Sequence, residues 1–249
     1  MTVDDVIAAL ELPSSALVHQ RVPKTVMVQN GAPTAADKRR INDGIDELFW
    51  VAALKPSSIG VAAWRDADRE YLEIAVMTLK LRADAKAGRL VELIHRAIPY
   101  PVFLVSLDDE TLSLSVAHKR NAQNEADRVV LDGDVVQVEL SESVCRDDLA
   151  TLLRLADRPR GSILDLYQGW QDSLEAIAAA RITGELSATT DQARLARRRA
   201  ALVEHERLMR EIAQLRTQTG RESQMARRVE LNLEIKRLEA ALAEAQRQL

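Results

Sequence analysis

The sequence predicts an α+β domain with a mixed or antiparallel sheet and helices, followed by a helical segment and a C-terminal coiled coil. Three observations carry this reading. Short β-rich runs alternate with amphipathic helices up to about residue 143. No strand-like run follows Cys145. The last third is dominated by Ala, Leu, Glu and Arg, and its apolar residues fall at heptad spacing. Three segments follow: an α+β domain at 1–143, a helical segment at 144–186, and a stalk or helical hairpin at 187–249.

Residues 3–12 read as a short amphipathic helix through Val6, Ile7 and Leu10, stopped by Pro13. Val22, Val26 and Val28 suggest a β-rich run, and Pro23 within it suggests an edge strand or bulge. Thr34 is a natural N-cap for a helix through Ile41, Ile45, Leu48, Phe49 and Ala52, ended by Lys55-Pro56. Residues 59–63 suggest a short strand. Residues 71–82 (YLEIAVMTLKLR) form the strongest strand pattern, apolar on both faces before alternating.

Residues 85–97 read as a helix through Leu90, Val91, Leu93 and Ile94. Two strands follow, PVFLVSL and TLSLSVAHK, turned by Asp108-Asp109-Glu110. Residues 128–131 and 135–140 flank Asp132-Gly133-Asp134, a hairpin pattern. Interspersed helices and hairpins point to a sheet with helices on one face. Beyond it, residues 147–156 and 162–182 read as helices, the second carrying Tyr167 and Trp170 as core anchors and ending at Thr183-Gly184.

From residue 194 the chain favours helix throughout. Leu208, Ile212 and Leu215 are spaced 4 and 3; Leu231, Ile235, Leu238, Leu242, Ala245 and Leu249 are spaced 4, 3, 4, 3, 4. The register shifts near Gly220, so the tail is either one helix with a discontinuity or an antiparallel hairpin folded at 217–223. Unbroken, it would span about 85 Å at ~1.5 Å per residue. Such a seam needs a second copy, its own fold-back or a partner's helix. The expected partner-binding residues are Leu208, Ile212, Leu215, Leu231, Ile235, Leu238, Leu242 and Leu249.

Net charge is −4, unevenly spread. Residues 190–249 hold 13 Lys/Arg against 9 Asp/Glu, and the rest hold 21 against 29. Within 194–228 the ratio is 10 to 4, which allows a solvated helix face, an acidic partner or nucleic acid. Candidate phosphate contacts are Arg21, Lys24, Lys119, Arg120, Arg197, Arg198 and Arg199. Lys38, Arg39 and Arg40 are expected to pair instead with Asp37, Asp43 and Asp46.

Enzymatic signatures are scarce. Phosphate-loop, dinucleotide and GxSxG patterns are missing, and the four histidines lack metal-site spacing. A single cysteine leaves no disulfide framework or cysteine zinc site. Neither a cofactor nor a metal is expected. A cryptic Mg²⁺-dependent nuclease would draw on Glu73, Lys80, Asp108 and Asp109, but no acid-x-lysine pair sits on one strand. Without a signal-peptide pattern or an apolar run of about 20 residues, the cytoplasm is the expected compartment and no membrane association is expected.

Several stretches carry a family resemblance: RVPK at 21–24, GAPTAADKRRINDGIDELFWVAALKP at 31–56 and YLEIAVMTLKLR at 71–82. It continues through RLVELIHRAIPYPVFLV at 89–105, LSLSVAHKR at 112–120, LYQGW at 166–170 and QMARRVELNLEIKRLEAAL at 224–242. Essentially the whole chain resembles a bacterial family of unknown function, typically encoded beside helicases and DNA methyltransferases in defence or restriction-modification islands. The resemblance implies a context rather than a reaction and supplies no catalytic residues. Gly220 and its polar neighbours depart from an unbroken stalk.

The expected function is a non-catalytic accessory or adaptor subunit, docked to a helicase or DNA methyltransferase through the coiled coil. A homodimer through that coiled coil is a further possibility. A nucleic-acid-binding module using the basic stalk is the alternative, and the nuclease is the second.

Overall fold

A computed structural model describes residues 1–122, 129–140 and 146–249. Arg128 and Cys145 lie outside the described residues. The chain divides into two units, Met1–Leu174 and Glu175–Leu249.

The first unit opens with α1 (Val3–Ala9), whose Thr2–Asp5 capping box satisfies the first-turn amides. Strand β1 (Leu17–Arg21) follows, exposed along its length. Val26 and Val28 then enter a helix, α2 (Lys24–Gly31), rather than the strand their β-branched side chains suggest. Pro23 stands at its N-cap, and packing overrides propensity: Met27 is fully buried. A Cβ on Gly31 would lie 2.6 Å from the Ala97 Cβ and 2.8 Å from the Leu93 carbonyl oxygen, so only glycine allows this approach.

Helix α3 (Ala35–Gly44) is capped by Thr34, whose hydroxyl accepts from the Asp37 amide. It ends at Gly44, and Ile45, Leu48, Phe49 and Ala52 belong to a strand, β2 (Ile45–Leu54), instead of continuing the helix. The reason is in the register. Two irregularities in pairing, between Ile45 and Glu47 and between Trp50 and Ala52, break the two-residue alternation. Buried positions therefore fall at Ile45, Leu48 and Val51, a spacing of three that imitates a helix face.

The expected strand at 59–63 is also replaced. Lys55-Pro56 starts a single turn, α4 (Pro56–Ile59), closed by left-handed Gly60 at φ 65°. A two-stranded ribbon, β3 (Trp64–Arg65) with β4 (Glu70–Tyr71), leads into β5 (Ile74–Leu81), buried on both faces before alternating as the sequence suggests. Helix α5 (Ala87–Ala97) crosses over to β6 (Val102–Asp108), which lies parallel to β5. β6 turns into antiparallel β7 (Thr111–Val116).

Beyond β7 come β8 (Lys119–Asn121), β9 (Val129–Leu131) and β10 (Val136–Glu139). β9 and β10 do not form the expected hairpin. β9 pairs with β8, β10 pairs with β7, and Asp132-Gly133-Asp134 carries the chain from ribbon to sheet edge. The main sheet is mixed, in the order β1-β2-β5-β6-β7-β10.

Helices cover both faces rather than one. α2, α3 and α5 bury Met27, Ile41, Leu90, Leu93 and Ile94 against Ala75, Met77, Leu79 and Leu104. Side chains alternate across β6, so Phe103 turns the other way and packs on Trp170 with ring centroids 4.9 Å apart. Trp170 belongs to α7 (Ile163–Thr183), which follows α6 (Arg146–Leu153) and runs across the division between the units. The Trp170 indole donates to the Leu153 carbonyl at 2.9 Å, tying α7 to α6. Both Tyr167 and Trp170 are fully buried, as core anchors.

In the second unit the tail is two helices, α8 (Gln192–Arg221) and α9 (Met225–Arg247), the hairpin alternative of the two. Arg216 pairs with Glu239 at 2.8 Å, and His205 meets Gln246 at 3.5 Å. As residue numbers fall along α8, their partners on α9 rise, so the helices are antiparallel. Leu208, Ile212, Ile235, Leu238 and Ala245 form the seam, flanked by Leu215 and Leu242. Leu231 is also buried, while Leu249 lies outside this cluster at the chain end. The apolar stripe of the tail is thus covered by the tail itself.

Candidate functional site

Because the seam closes on itself, the residues expected to meet a partner meet each other. The open apolar side chains of the hairpin lie elsewhere, at Val203 and Met209 on α8 and in a row on α9. Met225, Val229 and Leu233 are 71%, 50% and 62% exposed. They recur every four residues on α9. At 100° per residue their direction lies about 160° from that of Leu231, Ile235, Leu238, Leu242 and Ala245. α9 is therefore apolar on two nearly opposite faces, and only one is covered. On the same side of α9 lies exposed Lys236, about 20° from the mean direction of these three, which makes no ion pair among the described residues.

Most of the candidate phosphate contacts are engaged by acceptors of their own unit. Lys119 is only 3% exposed and donates to the carbonyls of His95, at 2.5 Å, and Ile98 at the C-terminal end of α5. That helix end bears partial negative charge, which explains a cation there and removes it from a nucleic-acid surface. Arg198, 4% exposed, donates to the Ser187 carbonyl. Arg199 pairs with Glu175 at 2.9 Å. Arg21 is 3.8 Å from Glu47, and Arg120 is 3.8 Å from Asp132. The Lys24 amine donates to the Asn42 carbonyl at 3.0 Å, and burial followed by the nearby Arg82 charge lowers its pKa. Arg197 stays exposed on α8.

Nuclease chemistry finds no convergent carboxylates among the described residues. Glu73 precedes β5 and pairs with Lys55 at 3.2 Å, while Lys80 near the other end of that strand pairs with Asp46 at 3.3 Å. Asp108 lies at the Lys80 end, roughly 20 Å along the sheet from Glu73 at ~3.3 Å per residue. Burial and the neighbouring Asp109 raise the Asp108 pKa. No group of three His, Cys, Asp or Glu among the described residues could hold a metal ion.

Two buried polar assemblies escape a reading of the sequence. The Arg89 guanidinium clasps Asp37 through two bonds of 3.0 and 3.1 Å and, with Thr34 and Arg40, holds its carboxyl far below the usual range. Arg40 thus bonds to Asp37 as the helical spacing suggests, but the dominant partner comes from α5.

The second assembly joins sheet and α7. Gln168 donates its amide to Asp172 at 2.8 Å, so its oxygen faces His118 Nε2 at 2.9 Å. That nitrogen must carry the imidazole proton, leaving Nδ1 to accept from the Tyr71 hydroxyl at 2.6 Å. The Tyr71 oxygen in turn accepts from the Lys119 amide, while burial pushes the phenol up to about 12. Deeper still, the Tyr167 hydroxyl donates to the Val102 carbonyl at 2.7 Å and accepts from the Ala117 amide at 2.8 Å.

Around the end of α5 lies a cavity of about 720 Å³, walled by the last residues of α2, by Arg96, Ala97 and Pro99, and by β9. Lys119 and His95 line it. His95 itself is fully buried, its Nε2 bonded to Ser115 at 3.0 Å and its Nδ1 without a partner. Burial, aided by the Lys119 charge, drives it down to about 3, so the ring is neutral.

These features define a class: a mixed-sheet α+β domain joined to an antiparallel helical hairpin. Among the described residues, no helix is long and apolar enough to cross a membrane. The chain belongs to the family described as a domain of unknown function, DUF4391, which matches residues 10–242 and so takes in both units. No curated protein and no solved structure matches it.

Proposed function

We propose that this chain is a non-catalytic accessory subunit of a prokaryotic anti-phage defence or restriction-modification complex. Its hairpin would hold a helicase or DNA methyltransferase of the same system. The observation that supports this reading is the second apolar face of α9, formed by Met225, Val229 and Leu233 opposite the closed seam. A solvated hairpin needs one apolar stripe, not two. An uncovered stripe of three large side chains is the geometry of helix-in-groove or helix-on-helix docking. Lys236 on the same side of the helix favours a partner helix that carries an acidic residue. The partner's identity rests on the genomic setting that the family resemblance implies.

Affinity purification of the tagged full chain from its native host, followed by mass spectrometry, tests the proposal. The expected result is capture of the neighbouring helicase or methyltransferase, lost when Val229 and Leu233 become glutamate. Capture of neither enzyme would overturn it. DNA binding through the open Arg194, Arg197, Arg221 and Arg228 is the competing reading. It requires affinity for duplex DNA that falls steeply with salt.

A further inference from the structure

We infer that the cavity between α2, α5 and β9 is a binding site for a small organic anion, with its carboxylate or phosphate head at Lys119. Three features of the walls lead there. First, the charges are one-sided: among its described lining residues the cavity has Lys119 and Arg96 and no carboxylate. Arg96 is paired with Glu92 at 2.8 Å, whereas Lys119 meets only neutral acceptors, the carbonyls of His95 and Ile98. An ammonium has three protons, and two are used. The third is available for an acceptor in the cavity. Burial already pulls the Lys119 amine down to about 7, so a counter-ion there relieves a cost that backbone carbonyls offset only in part.

Second, the cavity is large for a bare ion. About 720 Å³ lies within the range of small-molecule sites. Third, its lining is amphipathic. Val129, Val130, Leu131 and Pro99 supply an apolar wall, while the exposed side chains of Gln29 and Asn30 supply amide donors and acceptors at the rim. A charged head at Lys119 with an apolar or planar body along β9 satisfies all three. The structural alternative is that Lys119 merely caps α5, which predicts no ligand.

Calorimetric titration of the full chain with AMP, octanoate and inorganic phosphate, beside the uncharged adenosine and octanol, separates these possibilities. The expected result is one-to-one binding of AMP or octanoate, with the uncharged analogue at least tenfold weaker. Lys119→Met should weaken the bound anion roughly 10- to 100-fold, the range for losing a bond to a charged group. Because Lys119→Met also uncaps α5, Val130→Trp provides a second variant that fills the cavity from half-buried β9 and leaves the lysine in place. It too should abolish binding, with an unchanged circular dichroism spectrum. Absence of binding by all three anions at millimolar concentration would overturn the inference. So would equal binding of the uncharged analogues, or undiminished binding by a folded Val130→Trp chain.

Discussion

Replacing Val229 and Leu233 together by glutamate perturbs the open face of α9 and nothing else the hairpin uses. Their side chains are 50% and 62% exposed. Fully burying a Val or Leu side chain contributes about 1.5–3 kcal/mol, so covering what is still exposed should give about 1–1.5 kcal/mol at each position. The pair then contributes about 2–3 kcal/mol to docking, or roughly a hundredfold in Kd, and desolvating the new carboxylates adds to the loss. Hairpin stability should change by no more than about 0.5 kcal/mol, since the substitutions are on the surface and glutamate is a better helix former than valine. The assay is calorimetry or biolayer interferometry of wild type and variant against the purified helicase or methyltransferase, with thermal melts alongside. An unchanged Kd for the variant would refute the assignment of this face as the docking surface.

Other substitutions test the fold that presents it. Leu208→Ala removes a seam side chain that is almost fully buried and should destabilise the hairpin by about 2–4 kcal/mol, read as faster amide hydrogen exchange along α9. Tyr167→Phe leaves the Val102 carbonyl and the Ala117 amide without their shared partner and should cost about 1–3 kcal/mol in thermal or denaturant unfolding. Acid should weaken the first unit before its carboxylates titrate. His95 is held neutral down to about pH 3, whereas in the unfolded chain it takes a proton near 6.5. The unfolded state therefore binds more protons in that window, and stability present above pH 6.5 is lost as pH falls, by up to about 1.4 kcal/mol per unit. His95→Phe should flatten that slope between pH 6.5 and 5 in urea titrations; an unaltered slope would point to a different group.

Much of this molecule is legible in its sequence, for stated physical reasons. The run at 71–82 reads as a strand because β5 is central and its apolar residues sit on both faces. The helix at 87–97 reads correctly because a single apolar stripe faces a core, and the one at 163–183 because a long apolar run, buried on most sides, continues to the Thr183-Gly184 stop. β2 does not, since its two register irregularities convert a period of two into one of three. Nor does α2, where Val26 and Val28 are in a helix fixed by the contact of Met27 and Gly31 with α5. Gly220 marks the break but does not choose between a discontinuous helix and a hairpin; the structure takes the hairpin. In the candidate sites, composition suggests basic surfaces, yet Lys119 and Arg198 serve backbone carbonyls that are far away in sequence or hidden in a loop. The partners that bury a charge come from other elements, and spacing along the chain does not reveal them.

The closure of the tail upon itself can be measured most directly with nitroxide labels at positions 205 and 246, after replacing Cys145 by serine and diluting with unlabelled chain. These residues meet across the antiparallel seam although they are 41 apart in sequence. Helices packed 8–10 Å apart should hold the two labels within about 20 Å. A distance in that range, unchanged on dilution, is the result expected. A separation near 60 Å, as a continuous helix at ~1.5 Å per residue requires, would contradict the hairpin and the docking face built upon it.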